Sequence, residues 1–111
     1  MTFAGAVLSA PLTDRRFNMA YRFATSTAVI TPGAKAVLGE AGVNPMSLIR
    51  RHFGGEWNGL PDNTERNEEY LADGEGMLMS IFDVASQPIW VISYIGYGLD
   101  SYTTVLLPEE Y

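Results

Sequence analysis

The chain contains no cysteine, which excludes disulfides and thiolate-held metals. It has one histidine, His52, so a single side chain titrates near neutral pH without help from its surroundings. No apolar run approaches the ~18 residues that a membrane-spanning helix needs. The opening MTFAGAVLSAPL lacks a basic start, and its apolar run is short for a signal peptide. A reducing, cytoplasmic setting away from membranes is the expectation. Basic residues are also scarce, seven Lys and Arg against thirteen Asp and Glu, a net charge of −6 that disfavours long-range attraction to nucleic acid. The deficit is uneven. Residues 1–55 hold six of the seven basic residues against Asp14 and Glu40, net +4, whereas residues 56–111 hold only Arg66 against eleven acids, net −10. Such asymmetry marks an interaction surface unless folding mixes the two halves.

What is present fits one small globular domain of 111 residues, 47% of them hydrophobic. Residues 1–18 have weak periodicity and read as a loosely attached arm, with a single domain over 19–111. The alternation in YRFATSTAVI predicts a strand from Phe23 to Ile30. Two helices with the same start and stop signals follow. Thr31 caps the first, with Pro32 at its first position and Gly42 after its end; Asn44, Pro45 and Gly54–Gly55 do the same for the second. Met46, Ile49 and Phe53 share one face of that second helix, so Arg50 and Arg51 point away from it. A third helix starts near Pro61, where Asp62 and Glu65 have capping-box spacing, and ends at Gly74. It has little apolar surface beyond Tyr70 and Leu71, which suits a solvated helix lying across a sheet edge.

Met77–Tyr111 carries three more strands. MLMSIFDV and IWVISYI are joined by the four-residue turn ASQP, and YTTVLL is stopped by Pro108. Short links force antiparallel neighbours. The fold class is therefore α+β, an antiparallel sheet of about four strands with two or three short helices packed on one face. Ile89–Ile95 is apolar on both alternating sets, which marks a central strand or a face buried by a partner chain, and a homodimer is expected on that ground.

TPGA, AVLGEAGVNPMSLIRRHFGGEWNGL, Asn67–Glu68, Ser80, IWVIS and TTVLLPEEY, in that order and spacing from Thr31 to Tyr111, resemble a family of small uncharacterised proteins encoded on plasmids, phages and other mobile elements. In that family an acidic residue follows the central strand and an Asp-Arg-Ser precedes the final one. Here Tyr94 stands at the acidic position, IGYGL intervenes, and Asp100–Ser101 lacks the arginine. The resemblance implies a mobile-gene origin, and any chemistry that the Glu and Arg serve in relatives is lost from this chain.

Candidate chemistry is sparse. His52, beside Arg51, is either a general acid or base or a helix C-terminal residue that interacts with the last carbonyls. Helices followed by an antiparallel sheet also look like the barnase/EndoU/RelE-type ribonuclease arrangement, in which His52 would be the base and Arg51 would stabilise phosphate charge. Thr103 or Thr104 would then bond the scissile phosphate, with Tyr111 in the same cleft. Trp57, in the Gly-rich GGEWNG, is either an exposed binding anchor or folded back on the core. Those glycines match no phosphate loop, and no cofactor is expected. Glu65, Glu68 and Glu69, with Asp73 and Glu75, form an acidic run on the third helix that is either a solvated face or a surface for a basic partner. No metal is expected there, because Glu65 and Glu69 have no histidine or further carboxylates beside them. Tyr94, Tyr97, Tyr102 and Tyr111, with Trp90, suit a partly exposed interface. The first expectation is thus an accessory protein that binds another protein, inhibiting a host defence or nucleic-acid-binding protein through its acidic surface. The alternatives are a ribonuclease-like enzyme or toxin, and a small-ligand module using a pocket between helices and sheet.

Overall fold

A computed structural model describes residues 21–96 and 101–111, together with a two-residue strand near the start of the chain. In chain order the elements are β1 (Ala6–Val7), β2 (Thr27–Ile30), α1 (Pro32–Ala41), α2 (Pro45–Phe53), α3 (Pro61–Asp73), β3 (Gly76–Val84), β4 (Gln87–Ile95) and β5 (Tyr102–Leu106), closed by a 3₁₀ turn at Pro108–Glu110. The fold is α+β. The sheet order is β1-β2-β5-β4-β3, with β5 at the centre. The β3–β4 and β4–β5 pairs are antiparallel, as their short links require. The sheet is nevertheless mixed, because β2 runs parallel to β5, with Val29 opposite Thr104. Three helices and a hairpin separate those two strands in the chain, and such a long crossover imposes no antiparallel direction. The predicted strand Phe23–Ile30 shortens to Thr27–Ile30, while Phe23 packs against the core instead.

The first two of the three Pro-led helices form with the N-caps that their sequence specifies. The Ala34 amide donates to Thr31 Oγ1 at 3.3 Å, and the Met46 amide donates to Asn44 Oδ1 at 2.9 Å. Gly42 ends α1 in the left-handed conformation, φ 69°. Leu38 from α1 and Ile49 and Phe53 from α2 are buried against Ile30, Val91 and Val105 of the sheet. The side chains of the first two helices thus pack directly on the sheet.

The third helix lies along the outer edge of β3. The buried Asn67 side chain pairs with Met79 as another strand would: its amide nitrogen donates to the Met79 carbonyl at 2.7 Å, and its oxygen accepts from the Met79 N–H at 3.2 Å. Asn63 adds a bond to the same carbonyl, and the Ile81 N–H donates to the Trp57 carbonyl at 2.8 Å. An edge that would otherwise offer open backbone groups is thus covered. The helix begins at Pro61 with Leu60 as its N-cap, and no side chain caps it; the expected Asp62–Glu65 capping box does not form, because Asp62 already lies inside the first turn.

Strand alternation divides the sheet into two faces. Ala28, Ile30, Ser80, Phe82, Val91, Ser93, Thr103 and Val105 face the first two helices. Trp90, Ile92 and Tyr94 of β4, in register with Leu106, Thr104 and Tyr102 of β5, lie on the opposite face. The chain end returns over that second face, where the Tyr111 ring meets Trp90 edge-on at 5.8 Å.

Candidate functional site

His52 sits in the last turn of α2 and points into the sheet, with no exposed surface. Its Nδ1 lies 2.6 Å from Ser80 Oγ and its Nε2 lies 2.8 Å from Ser93 Oγ. The chain of contacts continues from Ser93 Oγ to Thr103 Oγ1 at 2.6 Å and from Thr103 to Thr25 Oγ1 at 2.7 Å, and ends where Thr25 donates to the Thr27 carbonyl at 3.1 Å. A carbonyl only accepts and each hydroxyl has one proton, so the last link orders all the others. Thr25 gives its proton to Thr27 and must accept from Thr103; Thr103 must accept from Ser93; Ser93 must accept from His52. The imidazole is therefore the Nε2–H tautomer, with Nδ1 accepting from Ser80. Burial pushes its pKa down to about 3, which keeps the ring neutral at physiological pH. Phe23, Trp57 and Phe53 surround the ring, with centroids 5.1, 5.7 and 6.2 Å from it.

This arrangement holds a core together and offers no reacting group to solvent. The ribonuclease cleft does not assemble. Thr104 and Tyr111 stand on the opposite face of the sheet from His52, and Thr103 is enclosed in the hydroxyl chain. Arg51 is half exposed, donates from Nε to Glu56 at 2.7 Å, and lies 4.7 Å above the Phe82 ring. Nor does His52 contact the carbonyls at its helix end, since both ring nitrogens are engaged by sheet hydroxyls.

A second cluster fastens the loop after α2. Arg22 meets Glu68 in a two-pronged pair, both contacts at 2.6 Å, and the Trp57 indole N–H donates to the same carboxylate at 2.9 Å. Arg22, and after it Trp57, hold the Glu68 carboxyl down to about 2. Trp57 is only 4% exposed, so it is no exposed anchor, and Glu68 is already occupied by an internal cation. Glu65 and Glu69 stay on the outside, as expected. Because Asn67 fixes the roll of the helix, Asp62, Glu65, Glu69 and Asp73 share its exposed side with Arg66. Beside this stripe, Leu60 stands 77% exposed at the mouth of a groove lined by Asp62, Asn63, Arg66, Met79 and Ile81, which leaves room of about 300 Å³ for water-sized groups.

Tyr94 is half-buried against Tyr102, with centroids 5.1 Å apart. Tyr97 lies outside the described residues. Ile92 and Leu106, on the face away from the helices, are 2% and 1% exposed in the single chain, so the apolar character of β4 does not require a second copy. Among the described residues no three His, Cys, Asp or Glu side chains are placed to hold a metal ion, and no helix is long and apolar enough to cross a membrane. Sequence reasoning missed Asn67 and Leu60 as key positions. The signal for Leu60 was an apolar residue where a helix start favours Ser, Thr, Asp or Asn. No family model, curated protein or solved structure matches this chain.

Proposed function

We propose that this is a mobile-element accessory protein that acts by binding a basic partner protein, and that the partner docks on α3 and the adjoining groove. The partner class that fits is a nucleic-acid-binding or defence protein whose positively charged surface the acidic helix would occupy. The observation that carries this proposal is Leu60, a large apolar side chain 77% exposed at an uncapped helix start beside an acidic stripe. Replacing a good N-cap by an apolar residue costs about 1 kcal/mol. The pairs Glu65–Glu69 and Glu69–Asp73, one helical turn apart, each cost a further few tenths of a kcal/mol. Arg66, one turn from Asp62 and from Glu69, offsets part of the repulsion, whereas the missing cap is uncompensated; a partner that brings an apolar contact to Leu60 and the groove and positive charge to the acids would relieve both. The mobile-element resemblance supports the partner class.

Affinity capture from host lysate tests this with three baits: the intact protein, Leu60→Asp, and the double variant Glu65→Lys, Glu69→Lys. The expected result is a defined protein retained by the intact bait at low salt, released as salt rises, and lost from both variants. Leu60→Asp should meanwhile unfold at higher denaturant concentration, since it gains a cap worth about 1 kcal/mol, so loss of binding cannot be ascribed to unfolding. Equal retention by all three baits would contradict the proposal.

A further inference from the structure

The face of the sheet turned away from α1 and α2 carries a pocket of its own. Its floor is Ile92, Thr104 and Leu106, and its walls are Tyr94, Tyr102 and Tyr111. Thr104 is 4% exposed, and its hydroxyl has no hydrogen-bond partner among the described residues. Its neighbour Thr103, facing the helices, has two. A buried hydroxyl left without a partner costs about 1–3 kcal/mol, and a valine of nearly the same shape would serve a β-strand without that cost. The pocket above Thr104 is about the size of one water molecule at its floor and opens to solvent between the tyrosines. The floor thus accommodates one polar atom, and a ring carrying it would lie outward between the tyrosine side chains.

The lining also selects by chemistry. None of the six side chains is charged, which disfavours a phosphate. Three tyrosine rings offer faces and edges to another aromatic ring. One wall is also adjustable. Glu110 is fixed, accepting from Thr31 Oγ1 at 2.5 Å and from the N–H groups of Gly33 and Leu107 at 3.0 and 2.9 Å. Tyr111 beyond it is 57% exposed and touches the sheet through Trp90 and a 3.7 Å contact from its hydroxyl to Met77 Sδ. We infer that this pocket binds a small uncharged aromatic compound bearing a single hydroxyl, a phenol, with its ring among the tyrosines and its oxygen on Thr104 Oγ1. This site is separate from the α3 groove and stands or falls independently of it.

The test is NMR titration of the isotope-labelled full chain with p-cresol and, in parallel, toluene, which differs by the hydroxyl. The expected result is saturable shifts at Ile92, Thr104 and Leu106, with p-cresol bound about tenfold more tightly, as one matched hydrogen bond of roughly 1.4 kcal/mol implies. Thr104→Val should abolish that preference by weakening p-cresol alone. Tyr111→Ala should weaken both compounds and leave the preference intact. The inference is overturned if p-cresol produces no shifts at these residues, the outcome expected if a single water occupies the floor. Equal binding of the two compounds, or a preference that survives Thr104→Val, would overturn it as well.

Discussion

His52 shows how a residue chosen for its chemistry can be used for its shape and its two nitrogens. Between Ser80 and Ser93 it joins α2 to two strands, and the hydroxyl chain carries the tie on to β5 and to the segment before β2. The neutral ring has a measurable consequence. The unfolded chain binds a proton to this histidine near pH 6.5, whereas the folded chain does so only near pH 3, so the unfolded state holds more protons in between. Stability must therefore fall as pH drops through that window, by about 2 kcal/mol between pH 7 and pH 5. Glu68 extends the loss lower: its folded pKa of about 2 lies below the model value of 4.5, so the stability it contributes is full above about 4.5 and disappears toward 2. Denaturant unfolding across pH measures the first slope, and imidazole nitrogen shifts at pH 5 should show a neutral ring protonated at Nε2. A charged ring at pH 5, or the Nδ1–H form, would refute the assignment.

At the scale of elements, residues with an unambiguous local role were legible in the sequence. Thr31–Pro32 and Asn44–Pro45 specify their helix starts by hydrogen bonds within one turn, and both helices form where the sequence places them. The β3–β4 turn was only half legible. ASQP reads as four turn residues, yet Gln87 pairs with Val84, leaving a two-residue turn in which Ala85 and Ser86 have φ of 51° and 65°. That is the backbone of a tight hairpin, which normally selects Asn-Gly. The strand twist imposes the turn on residues that disfavour it. Replacing Ala85–Ser86 by Asn-Gly should accordingly stabilise the protein by about 1 kcal/mol, read as a raised unfolding midpoint with an unchanged denaturant slope. The direction of β2 relative to β5 was not legible at all, because nothing local fixes strands separated by three helices. The third helix starts at Pro61, as its sequence indicates, but its cap does not follow the pattern: Asp62 and Glu65 have the spacing of a capping box, yet Asp62 already lies inside the first turn.

For the whole molecule, several polar positions gather in the interior. His52, Ser80, Ser93 and Thr103 form one network; Trp57 and Glu68 form the clamp with Arg22; Asn67 closes the sheet edge. These residues explain why the chain folds, and long-range pairing of this kind is invisible in a linear pattern. What remains outside is a surface in which acids outnumber bases, an exposed leucine, and a tyrosine-walled pocket on the far face. The charge asymmetry along the chain is only partly cancelled by folding: Arg22 and Arg51 neutralise Glu68 and Glu56, while Glu65, Glu69 and Asp73 stay exposed. Chemical-shift mapping of the labelled chain on addition of its captured partner addresses that surface directly. Docking on α3 predicts the largest changes at Leu60, Glu65, Arg66, Glu69, Met79 and Ile81. Changes centred elsewhere, with the outward side of α3 unperturbed, would contradict it.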